Sequence, residues 1–244
     1  MDISKTTVAI LAGGLATRLK PLTERIPKSL VPVAGRSFIH YQIDLLRASG
    51  IRHVVLCTGY LGEKIEAALG DGGDFGVHID YSWEGPELLG TAGALRKALS
   101  LVSEPFFVLY GDSYLPIDYR KVAEAYRRSR KLALMTVYAN ANRGGPSNVW
   151  FEGPLIRVYD KKRPSPEMKH IDYGFSAFSK KVFQNDPARG VRDLSEIFRQ
   201  LIAQGELAGY EVRERFFEIG SPEGLAELEA KLKSSSSQVP KGNA

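Results

Sequence analysis

Residues 8–19 read VAILAGGLATRL, an apolar run that ends in two adjacent glycines and is followed by an arginine. A short apolar run bounded by glycine is typical of a buried strand that opens into a turn. Glycine lets backbone N–H groups approach an anion, and Arg18 adds a planar, charged donor array for phosphate oxygens. The stretch therefore predicts a strand followed by a phosphate-binding loop.

The spacing of these glycines matches neither the Walker A motif nor G-x-G-x-x-G, which disfavours a generic phosphate loop and a dinucleotide site. A plain turn remains the alternative for Gly13 and Gly14 taken alone. Arg18 and the nearby Pro27-Lys28 favour phosphate binding, because triphosphates need positive charge.

Outward from this loop, apolar runs alternate with amphipathic segments. We predict helices over residues 38–49, 62–69, 91–101 and 121–129, and strands over residues 53–57, 77–81, 106–110 and 132–138. This rhythm indicates an α/β fold with a mostly parallel sheet, helices on both faces and ligands outside the carboxyl ends of the strands.

The pattern changes from about Asn140. Shorter runs at 149–152, 155–159 and 174–178 predict added antiparallel strands, and helices are expected at 193–204 and 221–233. Ser221 and Pro222 form a typical helix start. We expect residues 1–233 to form a single domain and residues 234–244, rich in Ser, Lys and Gly, to be a disordered tail.

Composition limits the function classes. The 244 residues are 43% hydrophobic and carry a net charge of +5. They contain no apolar run of membrane-spanning length and do not begin like a secretory signal, so a soluble, cytoplasmic protein without a membrane partner is expected. The basic residues lack aromatic interleaving or a groove-binding motif, which disfavours nucleic acid as a partner.

The cysteine and the histidines give no sign of a nucleophile or a metal site. Cys57 lies in an apolar run and is expected to be a buried, inert thiol. The four histidines have no metal-ligand spacing, so each is interpreted as a structural or surface residue.

Residues 11–41, LAGGLATRLKPLTERIPKSLVPVAGRSFIHY, resemble the signature of the sugar-1-phosphate nucleotidyltransferases. The resemblance continues through residues 89–94, 111–113, 159–161 and 217–223, and so covers nearly everything from Val8 to about Leu228. It implies a Rossmann-like three-layer sandwich of the GT-A-like nucleotidyltransferase type, with antiparallel strands on the sugar side. It also implies transfer of a nucleotidyl group from a nucleoside triphosphate to a sugar 1-phosphate, with release of pyrophosphate.

By this resemblance, Arg18 grips the triphosphate and Lys28 stabilises charge around the α-phosphate. Gly90 and Thr91 lie over the nucleobase, with Thr91 capping the next helix; a simple helix-entry turn would explain both equally well. The implied nucleotide-binding residues are Leu11, Ala12, Gly13, Gly14, Thr17, Arg18, Gly90 and Thr91.

Two acids are expected to hold Mg²⁺. Asp112 follows the strand at 106–110, so its carboxylate faces the ligand side of the sheet. Alone it would be interpreted as a turn-forming aspartate, but the resemblance makes it the metal ligand. Glu218 takes the place of a second ligand that is commonly aspartate in the family. A bound Mg²⁺ would bridge the phosphates of both substrates.

For the sugar side, the resemblance implies Asp112, Lys161, Asp172 and Gly174, with Lys161 on the sugar phosphate. Lys162 is a competitor for that role, and a solvated basic turn is the plain alternative. Asp172 stands where the family has an asparagine that bonds sugar hydroxyls. The expected catalytic set is Arg18, Lys28, Asp112 and Lys161.

Two departures from the signature are Ala16, in place of a third glycine, and Ser29, in place of a proline. Ala16, together with Glu218 and Asp172, motivates an alternative function, a catalytically silent nucleotide-sugar binding or regulatory subunit. For an active enzyme, residues 89–93 resemble the mannose- and heptose-1-phosphate guanylyltransferases of the family more than the thymidylyl enzymes, which implies a slight preference for guanylyl transfer over uridylyl, thymidylyl or cytidylyl transfer. A homodimer is expected from family analogy only.

Overall fold

The computed structural model describes residues 2–85, 87–140, 146–185 and 190–236. Its strands are β1 (Thr7–Leu11), β2 (Pro32–Val33), β3 (Arg36–Ser37), β4 (His53–Thr58), β5 (His78–Trp83), β6 (Phe106–Tyr110), β7 (Ser113–Tyr114), β8 (Ala133–Tyr138), β9 (Val149–Glu152), β10 (Leu155–Tyr159), β11 (Ile171–Phe178), β12 (Leu207–Val212) and β13 (Phe217–Glu218). Its α-helices are α1 (Phe38–Ala48), α2 (Gly62–Leu69), α3 (Gly90–Lys97), α4 (Tyr119–Ser129), α5 (Lys181–Gln184), α6 (Leu194–Ala203) and α7 (Pro222–Ser236).

The main sheet has nine strands in the order β5-β4-β1-β6-β11-β8-β12-β10-β9. The strands β5, β4, β1 and β6 pair in parallel, as do β8 and β12. Only β11 and β10 of these nine strands run against the others. The expected mostly parallel, mixed sheet is therefore confirmed.

Side-chain alternation along the central strands produces the three layers. On β1, Val8 and Ile10 face a core formed with α1, α2 and α4, whereas Ala9 faces the other core, formed with α3, α5 and α6. On β6, Phe107 and Val108 divide in the same way. Since both sheet faces are apolar, helices must cover both, and each fully buried large side chain contributes about 1.5–3 kcal/mol.

The chain reverses its direction of travel across the sheet at β1. It moves from β1 to β4 and β5 on one side, and then crosses to β6 on the other side of β1. A crevice forms outside the carboxyl ends of strands at such a switch point. Hydrogen bonds fix the loops there: Ala12 N donates to Cys57 O at 2.9 Å, and Gly111 N donates to Leu11 O at 3.2 Å.

Several details differ from the sequence predictions. The antiparallel strand β11 lies in the middle of the sheet, between β6 and β8, and β12 was not predicted at all. The sequence of β12, LAGYEV, contains Ala and Gly, which have low strand propensity, so the parallel pairing with β8 creates the strand. Helix α7 begins at Pro222 behind Ser221, as expected, and ends at Ser236, beyond the expected end.

Three further expectations concern the cysteine, membrane-spanning helices and the end of the chain. Cys57 is 1% exposed, and burial raises the pKa of its thiol to about 12, in line with an inert role. Within the described ranges, every helix is too short or too polar to span a lipid bilayer. Residues 237–244 of the expected disordered tail lie outside the described residues, and the division into domain and tail stays a prediction.

Candidate active site

A pocket of about 320 Å³ opens at the carboxyl ends of β1 and β6. Nine residues that the sequence singled out line it: Leu11, Ala12, Gly13, Gly14, Lys28, Gly90, Thr91, Asp112 and Lys161. They come from five separate stretches of the chain. The fold therefore brings the expected nucleotide, triphosphate and sugar-phosphate groups into one cavity of a size suited to a small ligand.

The two glycines of the loop differ in the space around their Cα atoms. A Cβ on Gly13 would collide with the carboxylate of Glu84 and lie 3.2 Å from Gly59 N. No atom lies within 4 Å of a Cβ built on Gly14, which faces open space. Gly13 is therefore needed for packing of the loop, whereas the absence of a side chain at Gly14 serves the pocket.

Ala16 adopts the left-handed conformation, with φ 49° and ψ 42°. The hydroxyl of Thr23 donates to Ala16 O at 2.8 Å, which holds the loop in this shape. The loop therefore keeps a backbone conformation that suits glycine, and alanine pays about 1–2 kcal/mol of steric cost there.

The cation and the carboxylate expected at the reaction centre contact each other directly. Lys28 Nζ lies 2.7 Å from Asp112 Oδ2, and both side chains are partly buried. Beside Lys28, the buried hydroxyl of Ser29 has no hydrogen-bond partner among the described residues. The pair places positive and negative charge at the floor of the pocket.

A second carboxylate lies next to Asp112. The pairing of β13 with β7 sets Glu218 opposite Ser113, and Ile219 N donates to Asp112 O at 2.9 Å. Burial and the negative charge of Asp112 raise the pKa of Glu218, while Arg18 and Lys28 act in the opposite sense. Two adjacent carboxylates that repel each other form an all-oxygen donor set, which fits Mg²⁺.

Arg18 and Thr17 stand at the rim. Both are exposed and belong to the short 3₁₀ turn Thr17–Leu19, and neither lines the pocket. Arg18 nonetheless points inward, since its Nη2 would lie 3.2 Å from a Cβ on Gly220, close to Asp112. A long phosphate chain leaving the pocket would meet this guanidinium.

Lys161 is held over two aromatic rings. Its Nζ lies 5.5 Å from the ring centre of Tyr110 and 5.6 Å from that of Tyr159. Cation–π contacts of this kind orient an ammonium group without consuming its hydrogen-bond donors. Lys161 lines the pocket and Lys162 does not, so the geometry favours Lys161 of the two lysines.

Asp172 has a different environment from the one expected of a sugar ligand. It is 8% exposed and does not line the pocket. Its Oδ2 accepts from Tyr110 Oη at 2.7 Å and from Tyr159 Oη at 3.0 Å, and its Oδ1 accepts from Gly174 N at 3.1 Å. Both carboxylate oxygens are thus engaged within the protein, by the two tyrosines that carry Lys161.

Thr91 does not cap α3, contrary to expectation, because that helix begins at Gly90 and has Leu89 at its N-cap. The Thr91 hydroxyl instead accepts from Leu194 N at 2.7 Å and donates to Asp193 Oδ2 at 3.3 Å. It thereby ties α3 to the start of α6 across the mouth of the pocket.

Sequence reasoning missed several pocket residues. The start of α6 contributes Asp193, Leu194 and Ser195, and β5 is followed by Glu84. The Asp193–Glu196 capping box signals a helix start but gives no sign that this start reaches the loop after β1. Glu84 Oε2 accepts from Leu89 N at 2.7 Å, and burial raises the pKa of Glu84.

Comparisons with known proteins give the family of the chain. Residues 7–235 match the family model described as nucleotidyl transferase. The chain is 30% identical to mannose-1-phosphate guanylyltransferase of Mycobacterium tuberculosis (strain ATCC 25618 / H37Rv) over 237 residues, which is 95% of this chain and 66% of the relative. It is 42% identical over 111 residues to N-acetylmuramate alpha-1-phosphate uridylyltransferase of Neisseria meningitidis serogroup B (strain ATCC BAA-335 / MC58), which is 45% of this chain and 48% of the relative.

The fold has close structural counterparts. The crystal structure of UDP-glucose pyrophosphorylase from Acinetobacter baumanii superposes with a TM-score of 0.78 at 20% identity, over 97% of this chain and 95% of that one. The three-layer mixed fold that the sequence predicted is therefore confirmed. The chain spans less than two thirds of the length of the curated relatives named above. From the family match over residues 7–235, the chain belongs to the nucleotidyl transferase family.

Proposed function

We propose that the protein transfers a nucleotidyl group from a nucleoside triphosphate to a sugar 1-phosphate. The observation that carries this proposal is that the glycine loop, Lys28, Asp112 and Lys161 line one pocket. In the reaction, an oxygen of the sugar phosphate forms a bond to the α-phosphorus, and the bond from that phosphorus to the bridging oxygen breaks. Pyrophosphate leaves with the electron pair, so no protein nucleophile is required.

The residues of the loop and its cations have separate roles. Backbone N–H groups around Gly13 and Gly14 approach the nucleotide, and Arg18 at the rim binds the outer phosphates. Lys28 neutralises charge that builds up on the α-phosphate oxygens. Such reactions depend mainly on positioning and electrostatic stabilisation, which these groups supply.

Asp112 and Glu218 would hold a Mg²⁺ ion: Asp112 lines the pocket, and Glu218, which does not line it, is brought beside Asp112 by the pairing of β13 with β7. When bound, the ion would offset repulsion between the two anionic substrates. Lys28 is then free to leave Asp112 and follow the phosphate.

On the sugar side, Lys161 contacts the phosphate of the sugar 1-phosphate. We propose for Asp172 a positioning role in place of the direct sugar contact, because its oxygens bond the two tyrosines beneath Lys161. Gly174 supports the same carboxylate through its N–H.

We propose a preferred nucleobase and leave the sugar to the substrate screen. Guanylyl transfer is favoured by the sequence over residues 89–93 and by the similarity to a guanylyltransferase over 95% of the chain. The shorter match at 42% identity is to a uridylyltransferase, which makes UTP the second candidate.

We further propose a cytoplasmic, homodimeric enzyme, and light scattering of the purified protein tests the dimer.

Pyrophosphate release tests the function. Purified protein with Mg²⁺ is screened with GTP, UTP, dTTP, CTP and ATP against mannose, glucose, N-acetylhexosamine and heptose 1-phosphates. Release with one clear pair supports the transferase and identifies its substrates. Binding of a nucleotide sugar without release from any pair, by protein shown to be folded, would instead support a silent binding subunit.

A further inference from the structure

Two histidines and an aspartate meet at the amino ends of β4 and β5, away from the pocket. The parallel register of these strands sets His53 opposite His78, and Asp80 lies two residues further along β5, on the same face as His78. His53 lies four positions before Cys57, which is at the pocket end of β4, and four steps span about 13 Å along a strand. The cluster is therefore separate from the candidate active site.

The potential ligand atoms of the three side chains all lie within 4.8 Å of one another. His53 Nε2 lies 2.7 Å from Asp80 Oδ2, and His78 Nε2 lies 3.5 Å from Asp80 Oδ1. The two imidazole rings are 5.2 Å apart between centroids. Both histidines thus direct a ring nitrogen at one carboxylate.

The side chains are accessible to a metal ion from solvent. Their exposed fractions are 31% for His53, 63% for His78 and 34% for Asp80. On the protein side, Thr7 Oγ1 lies 3.1 Å from His53 Nδ1 and also accepts from Ser103 N at 3.0 Å. A partner on the second ring nitrogen fixes the orientation of a ligating histidine, so His53 has the support that metal-binding histidines usually have.

The donor set selects the class of metal. Two imidazole nitrogens and one carboxylate suit Zn²⁺ and similar transition-metal ions, whereas Mg²⁺ prefers oxygen. In a tetrahedral zinc site, bonds of about 2.0–2.2 Å place the ligand atoms roughly 3.3–3.6 Å apart. The separation of 3.5 Å between His78 Nε2 and Asp80 Oδ1 already matches.

We propose that His53, His78 and Asp80 form a binding site for a divalent transition-metal ion of the zinc type. The ion takes one nitrogen from each histidine and one oxygen from Asp80, and a water molecule completes the tetrahedron. Binding displaces the proton between His53 Nε2 and Asp80. The bound ion joins β4 to the edge strand β5 and raises the stability of the sheet, because it binds the folded chain alone.

The proposal gives two histidines a role that differs from the one expected from sequence. His53 and His78 show no metal-ligand spacing along the chain, and a structural or surface role was expected for each. Parallel strands joined by a helix bring residues together at sequence distances that no short motif records.

The test uses untagged, chelator-treated full-length protein. Co²⁺ is titrated as a probe, since its visible absorption reports a nitrogen-containing tetrahedral site, and Zn²⁺ is then added as competitor. With excess Mg²⁺ present to occupy the site proposed at Asp112 and Glu218, we expect one Co²⁺ per chain, which Zn²⁺ displaces and Mg²⁺ does not, and a higher melting temperature with Zn²⁺. His78→Gln should weaken Zn²⁺ binding at least about tenfold and abolish the melting shift.

His78→Gln is the first variant because His78 is mostly exposed, and Asp80→Asn is the second. His170→Gln is the matched control, since His170 lies 3.2 Å from a single carboxylate, that of Glu211. This control should bind Zn²⁺ like the wild type. Equal Zn²⁺ affinity in wild type and His78→Gln, or no binding by the wild type, would overturn the proposal whatever the enzymatic activity.

Discussion

Lys28 Nζ and Asp112 Oδ2 form an ion pair of 2.7 Å at the floor of the pocket, although the two residues are 84 positions apart in the sequence. Lys28 is 18% exposed and Asp112 is 29% exposed, so the pair is only partly screened by solvent. The pair keeps both side chains in place at the point where a phosphate and a metal ion are expected to bind. When a phosphate binds Lys28 and a metal ion binds Asp112, these new ionic contacts can replace the contact between the two side chains.

Lys28→Ala should reduce turnover by roughly 10²–10³, the usual effect of removing one donor from a transition-state site. The fold should persist, because Asp112 stays partly exposed to water. Lys20→Ala, at an exposed position of the same loop region, is the control and should keep full activity. The check is pyrophosphate release together with circular dichroism. Unchanged turnover in Lys28→Ala would remove this lysine from the proposed mechanism.

Gly13→Ala and Gly14→Ala form a matched pair. At Gly13 a methyl group lies 3.2 Å from the backbone Gly59 N and displaces the Glu84 carboxylate, which accepts a hydrogen bond from Leu89 N, so stability should fall by about 1–3 kcal/mol. At Gly14 the methyl group meets open space in the folded chain, so stability should stay unchanged while the KM for the nucleotide rises. Thermal melts and kinetics on both variants separate packing from binding. The same loss of stability in both would contradict the distinction.

Ala16→Gly should stabilise the protein by about 0.5–1 kcal/mol, because glycine adopts the left-handed conformation without the steric cost but loses more freedom on folding. In a chain of this length that corresponds to a rise in Tm of roughly 2 °C. Turnover should change little. A fall in Tm would show that the loop in solution does not have φ 49° at this position.

Asp172→Asn tests positioning against direct sugar binding. The amide keeps one acceptor oxygen, which can serve both tyrosine hydroxyls, so Gly174 N loses its acceptor and both tyrosine bonds lose the charge assistance of a carboxylate, where such a bond is worth about 1.5–3 kcal/mol. We expect a higher KM for the sugar phosphate and an unchanged KM for the nucleotide, and Tyr159→Phe should give the same pattern. With deoxy sugar phosphates, the loss should be the same for every hydroxyl removed. A defect that vanishes with one particular deoxy sugar would indicate direct contact.

The ionisation of Glu218 should make Mg²⁺ binding depend on pH on the acidic side. Burial and the charge of Asp112 raise the pKa of Glu218 above 4.5. Glu218 therefore remains protonated up to a higher pH than an ordinary glutamate does. Since the charged form binds Mg²⁺, apparent Mg²⁺ affinity should fall as the pH falls through this raised pKa. Glu218→Gln should bind Mg²⁺ weakly at every pH, and Glu227→Gln, at a surface ion pair with Arg215, should behave like the wild type. A pH-independent Mg²⁺ affinity in the wild type would refute the role.

Much of the site could be predicted because its signals are local. The run from Val8 to Arg18 marks a strand and loop, and Asp112 follows an apolar run directly, so both lie at carboxyl ends of neighbouring strands. Strand β12 and the central position of β11 could not be predicted, since they depend on pairing between distant segments rather than on propensity.

The same limit applies to individual side chains. Asp193 is the first residue of the helix predicted at 193–204, and in the structure it caps α6 and lines the pocket, because Thr91 fixes the start of α6. Asp172 was expected at the sugar, whereas its contacts are with Tyr110 and Tyr159. Which atoms a buried carboxylate bonds is decided by packing, and a sequence motif carries no such information.

The most direct measurement of the central claim follows the phosphates of the nucleotide. The preferred triphosphate is labelled either at the α-phosphate or at the γ-phosphate and incubated with its sugar 1-phosphate and Mg²⁺. We predict that the α-label appears in a nucleoside diphosphate sugar and the γ-label in pyrophosphate, in equal amounts, and that Lys28→Ala makes neither at an appreciable rate. An α-label that is never joined to the sugar, from folded protein that binds both substrates, would contradict nucleotidyl transfer.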